Sequence, residues 1–297
     1  MKLKLLIIIT IIIVISSLQI QKNVEAYNYE HVNVTTRVNV TNAGPEILQV
    51  IMDNTQTLSA GTTKNIFCNA TILDWNGWDD ITEVNATFYH VTSTHESADD
   101  GNTHYTNTSC SIINHDGLYT ANYTCSFNVI HYANNGTWTC NVTTKDTFNF
   151  TDTLSNTTII NELYALNVTS LIDYGNLTVT ETSDNQTATI TNFGNMDINV
   201  SVFGYGGTDP VVGAGLAMIC DRGSNITIEN QRFSSIDVDW DFKTQLSSTP
   251  QDLGVMLSQP TDLTPIINRT TYWQLYVPPN PFGICLGTVR FTATVPS

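Results

Sequence analysis

Apolar residues recur at every second position through most of this chain. Val32, Val34, Val38 and Val40 alternate with Asn33, Thr35, Arg37, Asn39 and Thr41. That spacing gives an extended segment one apolar and one polar face, which predicts a half-buried β-strand. The same period predicts strands over residues 63–73, 83–91, 119–129, 136–144 and 156–161. In the second half it predicts 177–180, 187–192, 198–203, 226–229, 236–242, 271–277 and 287–295. Gly194-Asn195 falls between two of these and reads as a hairpin turn. Beyond the N-terminal segment, no twelve-residue window carries a 3.6-residue apolar period. The expected class is all-β, arranged as two β-sandwich domains.

The N-terminus follows a different rule. Lys2 and Lys4 precede an apolar run over 5–15 that is broken only by Thr10. Val24 and Ala26 stand at the −3 and −1 positions of a cut before Tyr27, the layout of a signal peptide. The run nearly reaches Ile20, so residues 1–26 are expected either to be removed or to stay as a membrane anchor. No later segment is long and apolar enough to span a bilayer, and the tail 291–297 carries no hydrophobic anchor. The expected localisation is secreted or cell surface.

Six cysteines in an exported chain predict three disulfides. Cys68, Cys110, Cys125 and Cys140 lie in the first half, and Cys220 and Cys285 in the second. This split matches two separately stapled domains, expected over 27–161 and 162–297. Cys220 and Cys285 then pair with each other, while the first four allow three pairings. Asn42-Ala43-Gly44-Pro45 reads as a hinge after the first strand.

Sixteen Asn-x-Ser/Thr triplets punctuate the chain. Their asparagines are Asn33, Asn39, Asn69, Asn85, Asn107, Asn122, Asn135, Asn141, Asn149, Asn156, Asn167, Asn176, Asn185, Asn199, Asn225 and Asn268. Random order gives about seven, so the excess points to N-glycosylation. Strand alternation makes such triplets common and accounts for part of it. Only Asn225 and Asn268 follow Asn199. The stretch 228–297 still holds Trp240, Phe242, Trp273, Tyr276 and Phe282. Because a glycan blocks close packing, this sugar-poor second domain is the expected contact surface for further copies or other envelope proteins.

Net charge is −16. Loss of Lys2, Lys4, Lys22 and Glu25 with the leader takes it to −18. Nucleic acid is excluded as a partner by the shortage of cations, and an anionic membrane surface is disfavoured beyond the N-terminal segment.

Candidate chemistry is sparse. Asp74, Asn76, Asp79 and Asp80 flank Gly77 and are candidate Ca²⁺ ligands, although short Asp/Asn/Gly runs are also ordinary turn formers. Trp75 and Trp78 in the same loop are candidate platforms for a sugar ring, with packing over the sandwich end as the alternative. Asp237, Asp239 and Asp241 alternate with Val238, Trp240 and Phe242, which would line up three carboxylates on one strand face. His95, Glu96, Asp99, Asp100 and His104 miss the His-Glu-x-x-His zinc pattern and read as a polar surface loop. No nucleophile elbow, phosphate-binding loop or dinucleotide fingerprint is present, so no catalytic residue and no organic cofactor are expected.

Gly136-Thr137-Trp138-Thr139-Cys140-Asn141-Val142 puts Trp138 and Cys140 on one strand face, and Asp116-Gly117-Leu118-Tyr119 leads into a strand reaching Cys125. These stretches resemble the later strands of immunoglobulin-like sandwiches. The resemblance implies an immunoglobulin-like first domain with Trp138 in its core. It implies that Cys68 bridges the two sheets to Cys140, which leaves Cys110 and Cys125 to close a local loop. Asp74-Trp75-Asn76-Gly77-Trp78-Asp79-Asp80-Ile81, Thr144-Lys145-Asp146, Thr191-Asn192-Phe193-Gly194-Asn195-Met196, Tyr272-Trp273-Gln274-Leu275 and Cys285-Leu286-Gly287-Thr288-Val289 resemble exported archaeal cell-surface glycoproteins with such domains. That resemblance implies a non-enzymatic S-layer, pilus or adhesin role and carries over no catalytic residue. The expected function is envelope structure or assembly. The alternative is a glycan-binding adhesin that uses Trp75 and Trp78. Residues 27–41, ahead of the Gly-Pro hinge, are expected to pair within the chain or to complete a neighbour's open sheet.

Overall fold

The computed structural model describes residues 33–262, 264 and 266–296, so the leader 1–26 lies outside the described residues. Residues 33–41 belong to a separate unit from residues 42–297. They form no strand, and Val34, Val38 and Val40 are 80–81% exposed. The alternation that predicts a half-buried strand there is real, but alternation without a pairing partner yields no ladder.

Residues 42–297 form one compact unit with two hydrophobic cores and four sheets. The first sandwich is built from β1 (Glu46–Ile51), β2 (Thr55–Gln56), β3 (Thr63–Leu73), β4 (Ile81–His90), β5 (His104–Asn107), β6 (Ser111–His115), β7 (Thr120–Ile130), β8 (Gly136–Asp146) and β9 (Thr151–Ile160). One sheet runs β1-β3-β7-β6 and the other β2-β9-β8-β4-β5. β1 pairs antiparallel with β3, whereas β2 pairs parallel with β9, so the chain changes sheets between them. This is an immunoglobulin-like sandwich. Cys68 on β3 is bonded to Cys140 on β8 across the two sheets, and Cys110 is bonded to Cys125.

Trp138, Cys140 and Val142 on β8 are wholly buried. The Trp138 indole Nε1 donates to the Asn134 carbonyl at 2.8 Å, which pins the turn into β8. A buried indole N–H without an acceptor would cost about 1–3 kcal/mol. The bond stands where many immunoglobulin-like domains use a corner tyrosine two residues before the second cysteine.

The second sandwich uses β10 (Leu166–Val168), β11 (Gln186–Asn192), β12 (Ile198–Gly206), β13 (Leu216–Arg222), β14 (Ile226–Thr227), β15 (Gln231–Ser234), β16 (Thr244–Gln245), β17 (Gln251–Leu257), β18 (Asn268–Leu275) and β19 (Phe282–Thr294). Its sheets run β10-β11-β18-β15-β16 and β14-β13-β19-β12-β17. Trp273 fills the centre between Phe233 and Phe291. Cys220 on β13 is bonded to Cys285 directly opposite on β19.

Gly194-Asn195 does not close a hairpin, because β11 and β12 lie in different sheets. Its polar groups serve the joint between the sandwiches instead. Asn195 is wholly buried. Its Nδ2 donates to the carbonyls of Ala133 and Asn161, each at 3.1 Å, and its Oδ1 accepts from the Leu163 N–H at 2.7 Å. A Cβ on Gly194 would stand 1.9 Å from the Leu163 carbonyl oxygen, so no other residue fits. Gln259 Nε2 adds bonds to the Tyr132 carbonyl and Asn134 Oδ1, and Gly61 N–H donates to the Phe193 carbonyl.

Two further expected strands are absent. Thr180, at φ 69°, breaks extension over 177–180. Over 236–242 the chain turns through a short 3₁₀ segment at Trp240–Phe242. Arg232 holds that turn, with its guanidinium 4.5 Å from the Trp240 ring and Nη1 donating to the Trp240 carbonyl. Asp237, Asp239 and Asp241 therefore do not share a strand face.

Candidate functional site

The connection after β3 carries the predicted acidic loop. The structure brings Asp74 and Asp80 together with Asp146, which ends β8; one carboxylate oxygen from each lies within 4.8 Å of the others. Asp74 and Asp146 are almost wholly buried. Asp74 Oδ1 accepts from the Asn76 N–H at 2.8 Å, and its Oδ2 has no partner. Thr147 Oγ1 donates to Asp80 Oδ1, and Asp80 Oδ2 is likewise unpartnered. Asp146 Oδ1 accepts from the N–H groups of Phe148 and Phe150, while its Oδ2 accepts from Asn42 Nδ2 at 2.6 Å. Asn42 Oδ1 is buried without a donor. Burial first, then the charges of Asp80 and Asp146, push the Asp74 carboxyl above the usual range, with the Asn76 bond opposing them.

Asp79, also expected as a ligand, lies outside this group of carboxylates, and the amide oxygen of Asn76 is engaged elsewhere. Asn76 Oδ1 accepts from the Ala43 N–H at 2.8 Å, and Asp79 is exposed. Asp146 and Asn42 were missed because they are far away in sequence. Their only sequence signal was Asp146 at the end of the Thr144-Lys145-Asp146 stretch.

Trp78 is half-buried against the first core and stacks on His115 with ring centroids 3.8 Å apart. Trp75 stays exposed, tilted against Tyr119. In the histidine loop, buried His104 bonds Asp99 through Nδ1 at 2.9 Å, and Asp100 Oδ1 accepts from three backbone N–H groups. These bonds shape the loop.

All sixteen sequon asparagines are exposed or half-buried. Among the described residues the two buried asparagines, Asn192 and Asn195, belong to no such triplet. In the sugar-poor stretch Trp273 is core, whereas Phe242, Phe282, Ile284 and Leu286 are exposed.

That stretch includes a second feature that sequence reasoning missed. β12 lies along one edge of β19 from Gly287 to Thr294. β13 pairs with β19 only from Phe282 to Leu286, and no strand is paired along the other edge further on. Residues 288–294 therefore lack a strand on that edge among the described residues. Val289, Phe291 and Ala293 face the core there yet remain half-buried. β10 of the facing sheet touches β19 and adds half-buried Leu166 and Val168.

No protein-family profile and no curated protein matches the chain. Among solved structures, a chain of the CsuC–CsuE chaperone–tip adhesion subunit complex from Acinetobacter baumannii Csu pili aligns at 9% identity and TM-score 0.39, over 82% of this chain and 99% of that one. A chain of the chaperone–tip adhesin complex of CFA/I fimbriae aligns at 10% and 0.30, over 81% and 79%. A structure of carbohydrate-binding modules from the β-sandwich superfamily aligns at 11% and 0.26, over 86% and 97%. At these identities and scores the likeness carries no argument about function.

Proposed function

We propose that this chain is an exported, N-glycosylated structural protein of the cell envelope, of the S-layer or pilus kind. In this reading it assembles by strand addition between copies. The observation that carries the proposal is the bare edge of β19 above half-buried core residues. An unpaired edge presents a row of backbone donors and acceptors, and a strand laid along it gains both a ladder and apolar cover.

The occupant we assign is segment 33–41 of a second copy. It is long enough for residues 288–294 and forms no strand of its own. Its even positions, Val34, Val38 and Val40, would close over Val289, Phe291 and Ala293. Its odd positions carry both sequon asparagines, Asn33 and Asn39, so their glycans would face outward. On β10 the same logic sends sequon Asn167 away from Leu166 and Val168. Arg37 is the segment's one charge, and it is positive in an acidic chain. Export is supported by the leader pattern, three disulfides and the surface placement of every sequon.

Electron microscopy and light scattering of the full chain and of a variant lacking 33–41 test this reading. Polymers are expected from the full chain. Monomers that bind a synthetic 33–41 peptide are expected from the deletion. Polymers that survive the deletion would remove strand addition from the proposal. Full-chain monomers that bind cell-wall glycan through Trp75 would favour the adhesin alternative.

A further inference from the structure

We propose that Asp74, Asp80, Asp146 and Asn42 form a Ca²⁺ site at the end of the first sandwich. Three carboxylates converge there, two of them almost wholly removed from solvent. Clustered acids alone would mean little, because solvated acids tolerate one another at ordinary ionic strength. The decisive observation is the set of orphaned oxygens. Asp74 Oδ2, Asp80 Oδ2 and Asn42 Oδ1 are all buried and all lack a donor.

The donors that reach the cluster are already committed. Asn76 N–H serves Asp74 Oδ1, Thr147 Oγ1 serves Asp80 Oδ1, and Phe148 N–H and Phe150 N–H serve Asp146 Oδ1. Lys145, the neighbouring cation in sequence, is paired with Glu83 instead. A buried carboxylate without compensation costs several kcal/mol, so a group arranged this way calls for a positive charge at its centre.

The donor set selects the ion. All the free atoms are hard oxygens, with no imidazole or thiolate among them, which disfavours zinc and copper. Three clustered carboxylates suit Ca²⁺ better than Mg²⁺, which gives up its water reluctantly and is usually held by only one or two carboxylates. Three carboxylates and one amide oxygen leave the remaining positions to water, as is ordinary for calcium.

The ligands come from three places that are distant in sequence: the start of the compact unit at Asn42, the β3–β4 connection, and the end of β8. One ion would cross-link them and brace the point where the chain enters the first sandwich. The site is independent of the assembly reading.

Calorimetric titration and thermal melting of the full chain, with Ca²⁺, Mg²⁺ or a chelator, decide the matter. Saturating Ca²⁺ is expected to bind one equivalent and to raise Tm by about 5 °C. Asp74→Asn is expected to weaken binding at least about tenfold and yet to melt no lower than the parent in chelator, because it removes a buried charge. A merely structural Asp74 would lower Tm with and without calcium. Asp79→Asn, whose carboxylate stays outside the cluster, should bind calcium as the parent does. The proposal is overturned if Ca²⁺ up to about 10 mM gives no heat and no Tm shift, well above the range of extracellular sites. It is also overturned if Mg²⁺ stabilises equally, or if binding survives Asp74→Asn.

Discussion

β8 and β19 are both inner strands of their sheets, and they differ at their edges. β8 has β4 along one edge and β9 along the other, and its inward Trp138, Cys140 and Val142 are wholly buried. β19 has β12 along one edge and, over 288–294, no strand along the other among the described residues, and its inward Val289, Phe291 and Ala293 stay half-buried. Burial of a core face thus depends on lateral neighbours as well as on the opposing sheet. A strand can carry a correct apolar alternation and still be left open by topology.

Truncating the two core aromatics should expose this contrast most strongly. Trp138→Ala should cost about 4 kcal/mol in urea unfolding, whereas Phe291→Ala should cost about 2 kcal/mol in the monomer. In assembled material the second cost should rise toward the first. Equal costs in the monomer would remove the contrast between the strands. A next step asks whether the sandwiches respond separately. Asn195→Ala leaves two carbonyls and one N–H without partners at the joint, a loss of about 3 kcal/mol. Calorimetry should then resolve two transitions where the parent shows one.

The disulfides sharpen the comparison without an energy scale. Cys68 and Cys140 are wholly buried, whereas Cys220 and Cys285 are half-buried. Graded reductant followed by mass tagging should label Cys220 and Cys285 before Cys68 and Cys140. The smallest effect concerns pH. Burial holds the His131 imidazole below its ordinary pKa, opposed by a bond with Thr62, and its ring packs against Phe193 across the joint. A base with a depressed folded pKa contributes stability that is complete above its unfolded value near 6.5 and is lost as pH falls below it. Unfolding free energy should therefore decline below about pH 6.5, with a slope no steeper than about 1.4 kcal/mol per pH unit for this residue, and melting temperature should fall with it. His131→Gln should flatten that decline.

What was legible in the sequence follows the same logic. The strand read at 63–73 coincides with β3, and 187–192 and 136–144 fall within β11 and β8, because each has one dry face and one wet face. β13 and β17 were missed. Their Leu-Ala-Met-Ile-Cys and Gly-Val-Met-Leu runs are apolar on both parities, and Gly254 at φ 70° interrupts the second. Residues 33–41 and 236–242 alternate without forming strands, since periodicity states a preference and a partner makes the ladder. Asp74 and Asp80 were readable because one loop holds both. Asp146 and Asn42 join them only through the packing of β8 and of the chain's entry beside that loop. The open edge of β19 was beyond reach, because a missing neighbour leaves no mark in the residues that lack it.

The disulfides also limit how far the molecule can be drawn out under load. The bond between Cys68 and Cys140 spans 72 residues, and that between Cys220 and Cys285 spans 65. Even with every ladder sheared open, those two covalent loops would withhold roughly 450 Å of contour length. A chain pulled from its ends would lengthen only through the residues outside these loops and would halt well short of its full contour.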